Sequence, residues 1–104
     1  MKFEDVLNNY IEILNCTSKD LSNASSLSTA TISRYRNGER EPIFESKQFN
    51  NLISGIIQLA KEKNITSINT QKVTEDFSSV FGKNTIYFNI ISTNLNELIS
   101  RSKY

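Results

Sequence analysis

Three arginines, Arg34, Arg36 and Arg40, lie within a stretch of seven residues next to a group of small side chains. The small side chains are Ser28, Thr29, Ala30 and Ser33. A guanidinium group keeps its positive charge and can donate two parallel hydrogen bonds to a phosphate or to the edge of a guanine base. Small neighbours let the backbone come close to such a surface. The residue types in this segment therefore indicate binding to base edges or phosphates.

The chain has few residue types suited to catalysis or metal binding. It contains no histidine and one cysteine, Cys16, which excludes Ser-His and Cys-His nucleophile pairs and zinc sites built from cysteine and histidine. The carboxylates of Glu4-Asp5 and Glu75-Asp76 are neighbours in sequence on predicted helices, so they do not converge. Cys16 follows an apolar run and is interpreted as a small core residue. We therefore expect no enzyme activity, no metal site and no cofactor.

The overall charge gives no sign of a polyanionic partner. Twelve basic and eleven acidic side chains leave a formal charge of +1. No stretch approaches 18 uninterrupted apolar residues, and the acidic N-terminus at Glu4 and Asp5 does not suit a signal peptide. A lone cysteine cannot form an internal disulfide, which favours a reducing compartment. The sequence thus predicts a soluble, cytoplasmic protein without a membrane partner.

The spacing of apolar residues predicts an all-α fold with six helices and no strand. The predicted helices cover residues 2–14, 17–25, 28–36, 45–64, 70–81 and 85–101. Ile13 is assigned to the apolar face of the first helix, and Gly55 is interpreted as a tolerated weak point in the fourth. With three glycines and one proline, helices joined by polar turns are the natural architecture.

The second and third predicted helices are short and joined by a tight turn. Thr17 and Asp20 form a predicted capping box, and Ser28 is a predicted N-cap for the third helix. The apolar positions are Leu21, Ala24, Leu27, Ile32 and Tyr35. This spacing is typical of a helix-turn-helix, whose second helix enters the DNA major groove. At 3.6 residues per turn the opposite, polar face of the third helix contains Thr29, Ala30, Ser33, Arg34 and Asn37.

Residues 21–42, LSNASSLSTATISRYRNGEREP, resemble the helix-turn-helix of the lambda-repressor-like (XRE or Cro type) family of bacterial and phage regulators. The most specific part of the resemblance is residues 32–38 followed by Pro42. The motif covers 22 residues, and with the helices on either side the resemblance spans residues 1 to about 64. It implies a lambda-repressor-like helix-turn-helix bundle with two extra C-terminal helices.

The resemblance also implies site residues. Positions that match the family's base-facing positions are Ser28, Thr29, Ala30, Ser33 and Arg34. Positions that match its phosphate-contacting positions are Ser18, Asn37 and Gly38, and Arg40 lies in the loop that follows. Four residues depart from the family pattern: Ser18 replaces a glutamine, Ser22 an alanine, Ser26 the turn glycine and Arg36 an acid. Ser26 must therefore accept a positive φ or reshape the turn.

The chain is predicted to have two parts. Residues 1–64 form the helix-turn-helix domain, and residues 65–104 form a C-terminal helical segment that serves dimerisation, core completion or the start of a second module. Residues 88–100 can be aligned with residues 3–15, with three identities in thirteen positions. Tandem modules about 85 residues apart would give this similarity. Chance alignment of two amphipathic helices is the favoured interpretation.

The sequence therefore predicts a sequence-specific module that binds double-stranded DNA, most simply as a transcriptional regulator. A homodimer is expected, because one reading helix contacts only a few base pairs. The alternative is a protein–protein interaction module, an adaptor or antitoxin-like partner, which uses the same fold without reading DNA. The near-neutral charge favours this alternative.

Overall fold

The structure, a computed structural model, describes residues 1–81. These residues form five α-helices and no strand, as the apolar spacing predicts. The helices are α1 (Phe3–Leu14), α2 (Ser18–Ser25), α3 (Thr29–Arg36), α4 (Lys47–Glu62) and α5 (Thr70–Ser78). Helix α5 ends three residues before the predicted end at 81. The predicted sixth helix, and with it the proposed repeat of residues 88–100, lies outside the described residues.

Side-chain caps start four of the helices, and two of them confirm sequence predictions. The Thr17 hydroxyl accepts a hydrogen bond from the Asp20 amide at 3.1 Å, and the Asp20 carboxylate accepts one from the Thr17 amide at 2.9 Å. Hydrogen bonding to the backbone amide of Thr17, and then to its side chain, lowers the pKa of the Asp20 carboxyl. Ser28 caps α3 by accepting from the Thr31 amide at 3.1 Å. Ser46 and Asn69 cap α4 and α5 in the same way.

Aromatic side chains connect the first and last of these helices. Phe77 on α5 lies with its ring centroid 5.3 Å from Phe3 on α1 and 6.1 Å from Phe49 on α4. Phe77 and Val73 are fully buried in the same core as the α1 side chains. Burial of side chains this large is the main stabilising contribution to such a fold. Residues 70–78 thus complete the core of the helices that precede them.

Helices α2 and α4 approach each other closely at Gly55, which is buried. A Cβ atom on Gly55 would lie 2.7 Å from Cβ and 2.9 Å from Cα of Ser25, itself buried. Cβ atoms in proteins do not approach other heavy atoms this closely. The Ser25 backbone belongs to α2, so it could move away only if α2 moved with it. The interpretation of Gly55 as a tolerated weak point was therefore wrong, because the absence of a side chain permits this contact.

Ile13 is also placed differently from its prediction. Its side chain is 58% exposed, whereas Tyr10, Ile11 and Leu14 on the same helix are buried. Six other α1 side chains already cover the neighbouring helices, so Ile13 falls at the edge of that contact. There it lines a groove of about 350 Å³ between α1 and α5, beside Ile68. Within residues 1–81, none of the helices has the length and apolar character needed to cross a membrane.

Candidate nucleic-acid interface

Helix α3 has a buried face and an exposed face. Ile32 and Tyr35 are buried and hold α3 against the core, and burial raises the pKa of Tyr35 despite the opposing effect of the Arg40 charge. Phe3 on α1 packs its ring edge-on against Tyr35, with 5.7 Å between centroids. The exposed face carries Thr29, Ala30, Ser33 and Arg34. The structure therefore brings these four predicted base-facing residues together on one accessible surface.

Arg34 and Arg36 lie two positions apart and have different environments. Arg34 is exposed, and among residues 1–81 its guanidinium has neither a hydrogen-bond partner nor an ion-pair partner. It is therefore free to bind an external acceptor. Arg36 is half-buried, and its guanidinium is already engaged within the protein.

The Arg36 side chain joins three helices. Its Nε donates to Oδ1 of Asn8 on α1 at 2.8 Å, and its Nη1 donates to Oγ of Ser18 on α2 at 2.8 Å. The Asn8 amide returns a hydrogen bond to the Arg36 carbonyl at 3.0 Å. From the sequence, Arg36 was one of three closely spaced arginines and a positive charge in place of the family's acid. The network was missed because no sequence pattern places Asn8 beside the end of α3.

Serine hydroxyls close the turn between α2 and α3. Ser26 adopts φ 63°, so it accepts the left-handed conformation that the sequence allowed as one of two outcomes. The Ser22 hydroxyl donates to the Leu27 carbonyl, and the Leu27 amide donates to Oγ of Ser25 at 3.3 Å. The half-buried amide and carbonyl of Leu27 in the turn therefore both have partners. Ser22, one departure from the family pattern, therefore has a structural role, whereas Ser26, another, holds a backbone conformation that favours glycine.

The C-terminus of α3 ends in a compact turn at Gly38, with φ 74°. The Gly38 amide donates to the Tyr35 carbonyl at 3.4 Å, and the Glu39 amide donates to the Arg34 carbonyl at 3.0 Å. This is the pairing of a Schellman motif. The Asn37 amide also donates back into α3, to Ser33. Because the Asn37 amide is already bonded, only the exposed Asn37 side chain could contact a phosphate.

An acidic side chain lies against this turn. A Cβ atom on Gly38 would be 2.7 Å from Oε1 of Glu4, so the carboxylate of α1 is next to the predicted phosphate contact. Its negative charge would repel a phosphate at that point. Glu4 was not among the predicted site residues, because its proximity to Gly38 depends on how α1 packs on α3.

The remaining predicted site residues differ in their exposure and in whether their side chains already make hydrogen bonds. Ser28 is exposed, but its hydroxyl caps α3 and also donates to Oγ1 of Thr31 at 2.8 Å. Ser18 is half-buried and accepts from Arg36. Arg40 is exposed in the loop that follows α3. Thus Ser18, Arg40 and the exposed face of α3 lie at or near the surface, while the Ser28 hydroxyl is already occupied.

Among the described residues, the structure shows neither a cluster of metal ligands nor an activated thiol. Within the described part of the chain, no group of three histidine, cysteine or acidic side chains is placed to hold a metal ion. Burial raises the pKa of the Cys16 thiol, which keeps it protonated at neutral pH. Comparison with protein-family models, curated proteins and solved structures finds no match to this chain.

Proposed function

We propose that this protein is a sequence-specific double-stranded DNA-binding module, most simply a transcriptional regulator, that places helix 28–36 in the major groove. The observation that carries the proposal is the exposed, small and polar face of α3, on which Arg34 has no partner within residues 1–81. The major groove of B-DNA is about 12 Å wide, close to the diameter of an α-helix with its side chains. The buried opposite face holds α3 in place while the exposed face is presented.

The arrangement of α2 and α3 supports this proposal. Three residues, 26–28, separate two eight-residue helices, and α2 contacts both α3 and α4. A short first helix of this kind can cross the DNA backbone while the second reads the groove. The lambda-repressor-like helix-turn-helix arrangement is part of the same proposal.

Each exposed residue has a proposed role. Arg34 donates to a guanine edge, and Thr29, Ala30 and Ser33 contact neighbouring base edges. Ser28 remains a base-facing candidate through its position at the start of α3. The proposed phosphate contacts are Ser18, Asn37, Gly38 and Arg40. Two subunits would read two half-sites about 34 Å apart, which multiplies the selectivity of one short helix.

The charge of the protein determines how selectivity would arise. With a formal charge of +1, general attraction to DNA is weak, and Glu39 and Glu41 in the loop after α3 reduce it further. Selective binding would therefore depend on the fit of α3 more than on bulk charge. The measured salt dependence separates these contributions.

Selection from a random pool of duplex DNA at about 0.1 M salt tests the proposal. We expect enrichment of one motif, and we expect Arg34→Ala to weaken binding to it by about tenfold to a hundredfold. Lys61→Ala, which removes an exposed cation from α4, is the matched control and should leave motif and affinity unchanged. A log–log salt slope of about −5 is expected for five to seven phosphate contacts per subunit. Absence of any motif, together with binding insensitive to Arg34→Ala, would refute the proposal.

Exposed apolar side chains favour a second candidate function, a protein–protein interaction module. Ile13 is 58% exposed in the groove between α1 and α5, and Ile43 is 75% exposed in the loop before α4. As an adaptor or antitoxin-like protein, the chain would form a complex with the product of a neighbouring gene. That complex should persist at about 0.5 M salt, where surface charges are screened, and should not require Arg34.

A further inference from the structure

We propose that Arg36 is a positioning residue that sets the orientation of α3 against α1 and α2 and directs the Ser18 hydroxyl towards the DNA backbone. The inference about Ser18 rests on the proposed function. The inference about α3 concerns the free protein as well. Arg36 itself touches no DNA in this proposal.

The geometry of the guanidinium carries the first part. Its donors form a rigid planar fork, so simultaneous bonds from Nε to Asn8 and from Nη1 to Ser18, both at 2.8 Å, define the plane of the group. The Arg36 carbonyl is held by the Asn8 amide at 3.0 Å. Side chain and backbone of the last α3 residue are thus both tied to α1, and the side chain is also tied to α2.

The partners of Arg36 are neutral, which makes geometry more important than charge. Within residues 1–81, no carboxylate pairs with its guanidinium. Arg36 lies in the last turn of α3, where the helix dipole favours a cation. A lysine would keep this charge, but its single nitrogen lacks the two-pronged donor geometry that reaches Asn8 and Ser18 together.

The hydroxyl chemistry of Ser18 carries the second part. A serine hydroxyl has one hydrogen to donate and two lone pairs. One lone pair receives the bond from Arg36, which directs the hydroxyl hydrogen away from the guanidinium. That hydrogen has no acceptor within the part of the chain that the structure describes. Ser18 is the first residue of α2, so its hydroxyl is a donor for a backbone phosphate approaching this end of the helix.

The free protein tests the positioning of α3 without any DNA. In ¹⁵N-labelled protein, we expect the Nε–H of Arg36 to exchange with water at least about tenfold more slowly than that of exposed Arg34, because it is hydrogen-bonded and half-buried. Asn8→Ala should abolish this protection. Equal exchange at Arg34 and Arg36 would overturn the positioning role.

A double-mutant cycle on DNA binding tests the orientation of Ser18. Ser18→Ala should weaken binding about tenfold in the wild-type background and have almost no effect with Arg36→Met or Arg36→Lys. As a control, the effects of Ser18→Ala and Arg34→Met should multiply, since Arg34 does not contact Ser18. Thermal unfolding of each variant confirms that it is folded at the temperature of the assay. If Ser18→Ala still weakens binding tenfold in the Arg36→Lys background, the proposal is overturned. The positive charge at position 36 would then orient Ser18 without the two-donor geometry of the guanidinium.

The two tests separate failure of this inference from failure of the proposed function. If wild-type protein selects no DNA motif, the proposed function fails, and the Ser18 role fails with it. Slow exchange of the Arg36 Nε–H would then still support its positioning of α3. If wild-type protein selects a motif and the cycle shows independent effects, the proposed function stands and the Ser18 inference is overturned.

Discussion

Gly55 on α4 and Ser25 on α2 meet so closely that a methyl group on the glycine would lie 2.7 Å from the serine Cβ. This contact lies where α2, the helix beside the proposed reading helix, packs against α4. Both residues are buried, so a side chain added at either position could not turn towards solvent. The spacing between these two helices therefore depends on having almost no side chain at either position.

Gly55→Ala should destabilise the fold. Alanine would gain about 0.5–1 kcal/mol of helix propensity, but overpacking against the Ser25 backbone should cost about 1–3 kcal/mol. We expect a net loss in the free energy of unfolding, measured by urea denaturation. Ser54→Ala, at the exposed position before it, is the control and should be neutral or slightly stabilising. A Gly55→Ala protein as stable as the control would show that α2 and α4 can separate freely.

Ser26→Gly should stabilise the protein. Ser26 has φ 63°. This left-handed conformation costs a residue with a Cβ atom about 1–2 kcal/mol, whereas glycine adopts it without that steric cost. After the greater entropy of glycine in the unfolded chain is subtracted, a gain of about 0.5–1 kcal/mol remains. Asn23→Gly, inside α2, should instead destabilise, because its backbone is helical. Chemical denaturation of both variants measures whether each gains or loses stability. A loss of stability in Ser26→Gly would contradict the prediction.

Tyr10→Phe should change how stability depends on alkaline pH. The Tyr10 hydroxyl donates to Asp76, and burial, this hydrogen bond and the negative charge of Asp76 raise the pKa of Tyr10 above its usual 10.0. The unfolded chain therefore loses the tyrosine proton first, so the stabilisation is complete below pH 10.0 and declines at higher pH. Between about pH 10 and 11.5, Tyr10→Phe should reduce the fall in stability by up to about 1.4 kcal/mol per pH unit.

Tyr35 provides the comparison for this pH experiment. Burial raises its pKa as well, so part of the alkaline decline should remain in Tyr10→Phe and decrease further when Tyr35→Phe is added. The free energy of unfolding is measured by denaturant titration at each pH. The prediction is wrong if the free energy of unfolding of Tyr10→Phe falls as steeply as that of wild type above pH 10.0. Tyr10 would then ionise equally readily in the folded and in the unfolded chain.

Glu4→Gln should strengthen the proposed binding to DNA. Its carboxylate lies against Gly38, where a phosphate contact is proposed, and repulsion between two unit charges about 4 Å apart in water is worth about 1 kcal/mol. We expect about fivefold tighter binding at 0.1 M salt and a smaller gain at 0.5 M, because salt screens the repulsion. Glu12→Gln, an exposed acid at the other end of α1, is the charge-matched control. Equal gains from both variants would show a general charge effect rather than a local one.

Local signals in the sequence predicted the frame of this fold. The caps at Thr17 and Ser28 and the burial of Ile32 and Tyr35 are confirmed, because each depends on residues within one or two turns of helix. The exposed face of α3 follows from the same periodicity. Its role in reading DNA remains a prediction.

Features that depend on packing between helices were not predictable in this way. The Arg36 network joins residues 18 and 28 positions apart in sequence, and the Gly55 contact joins two helices whose relative placement no local pattern encodes. Ile13 was assigned by periodicity to a face that its neighbours already fill. In each case the cause is a contact whose partners are far apart in the chain.

The exposed face of α3 makes almost no hydrogen bonds to the rest of the described fold, while the opposite face provides its attachment. Thr29, Ala30, Ser33 and Arg34 can therefore be exchanged with little effect on folding. Such a surface can accept substitutions without loss of the folded core. If α3 reads DNA as proposed, exchanging these four side chains would change the bases that it prefers while the core is retained.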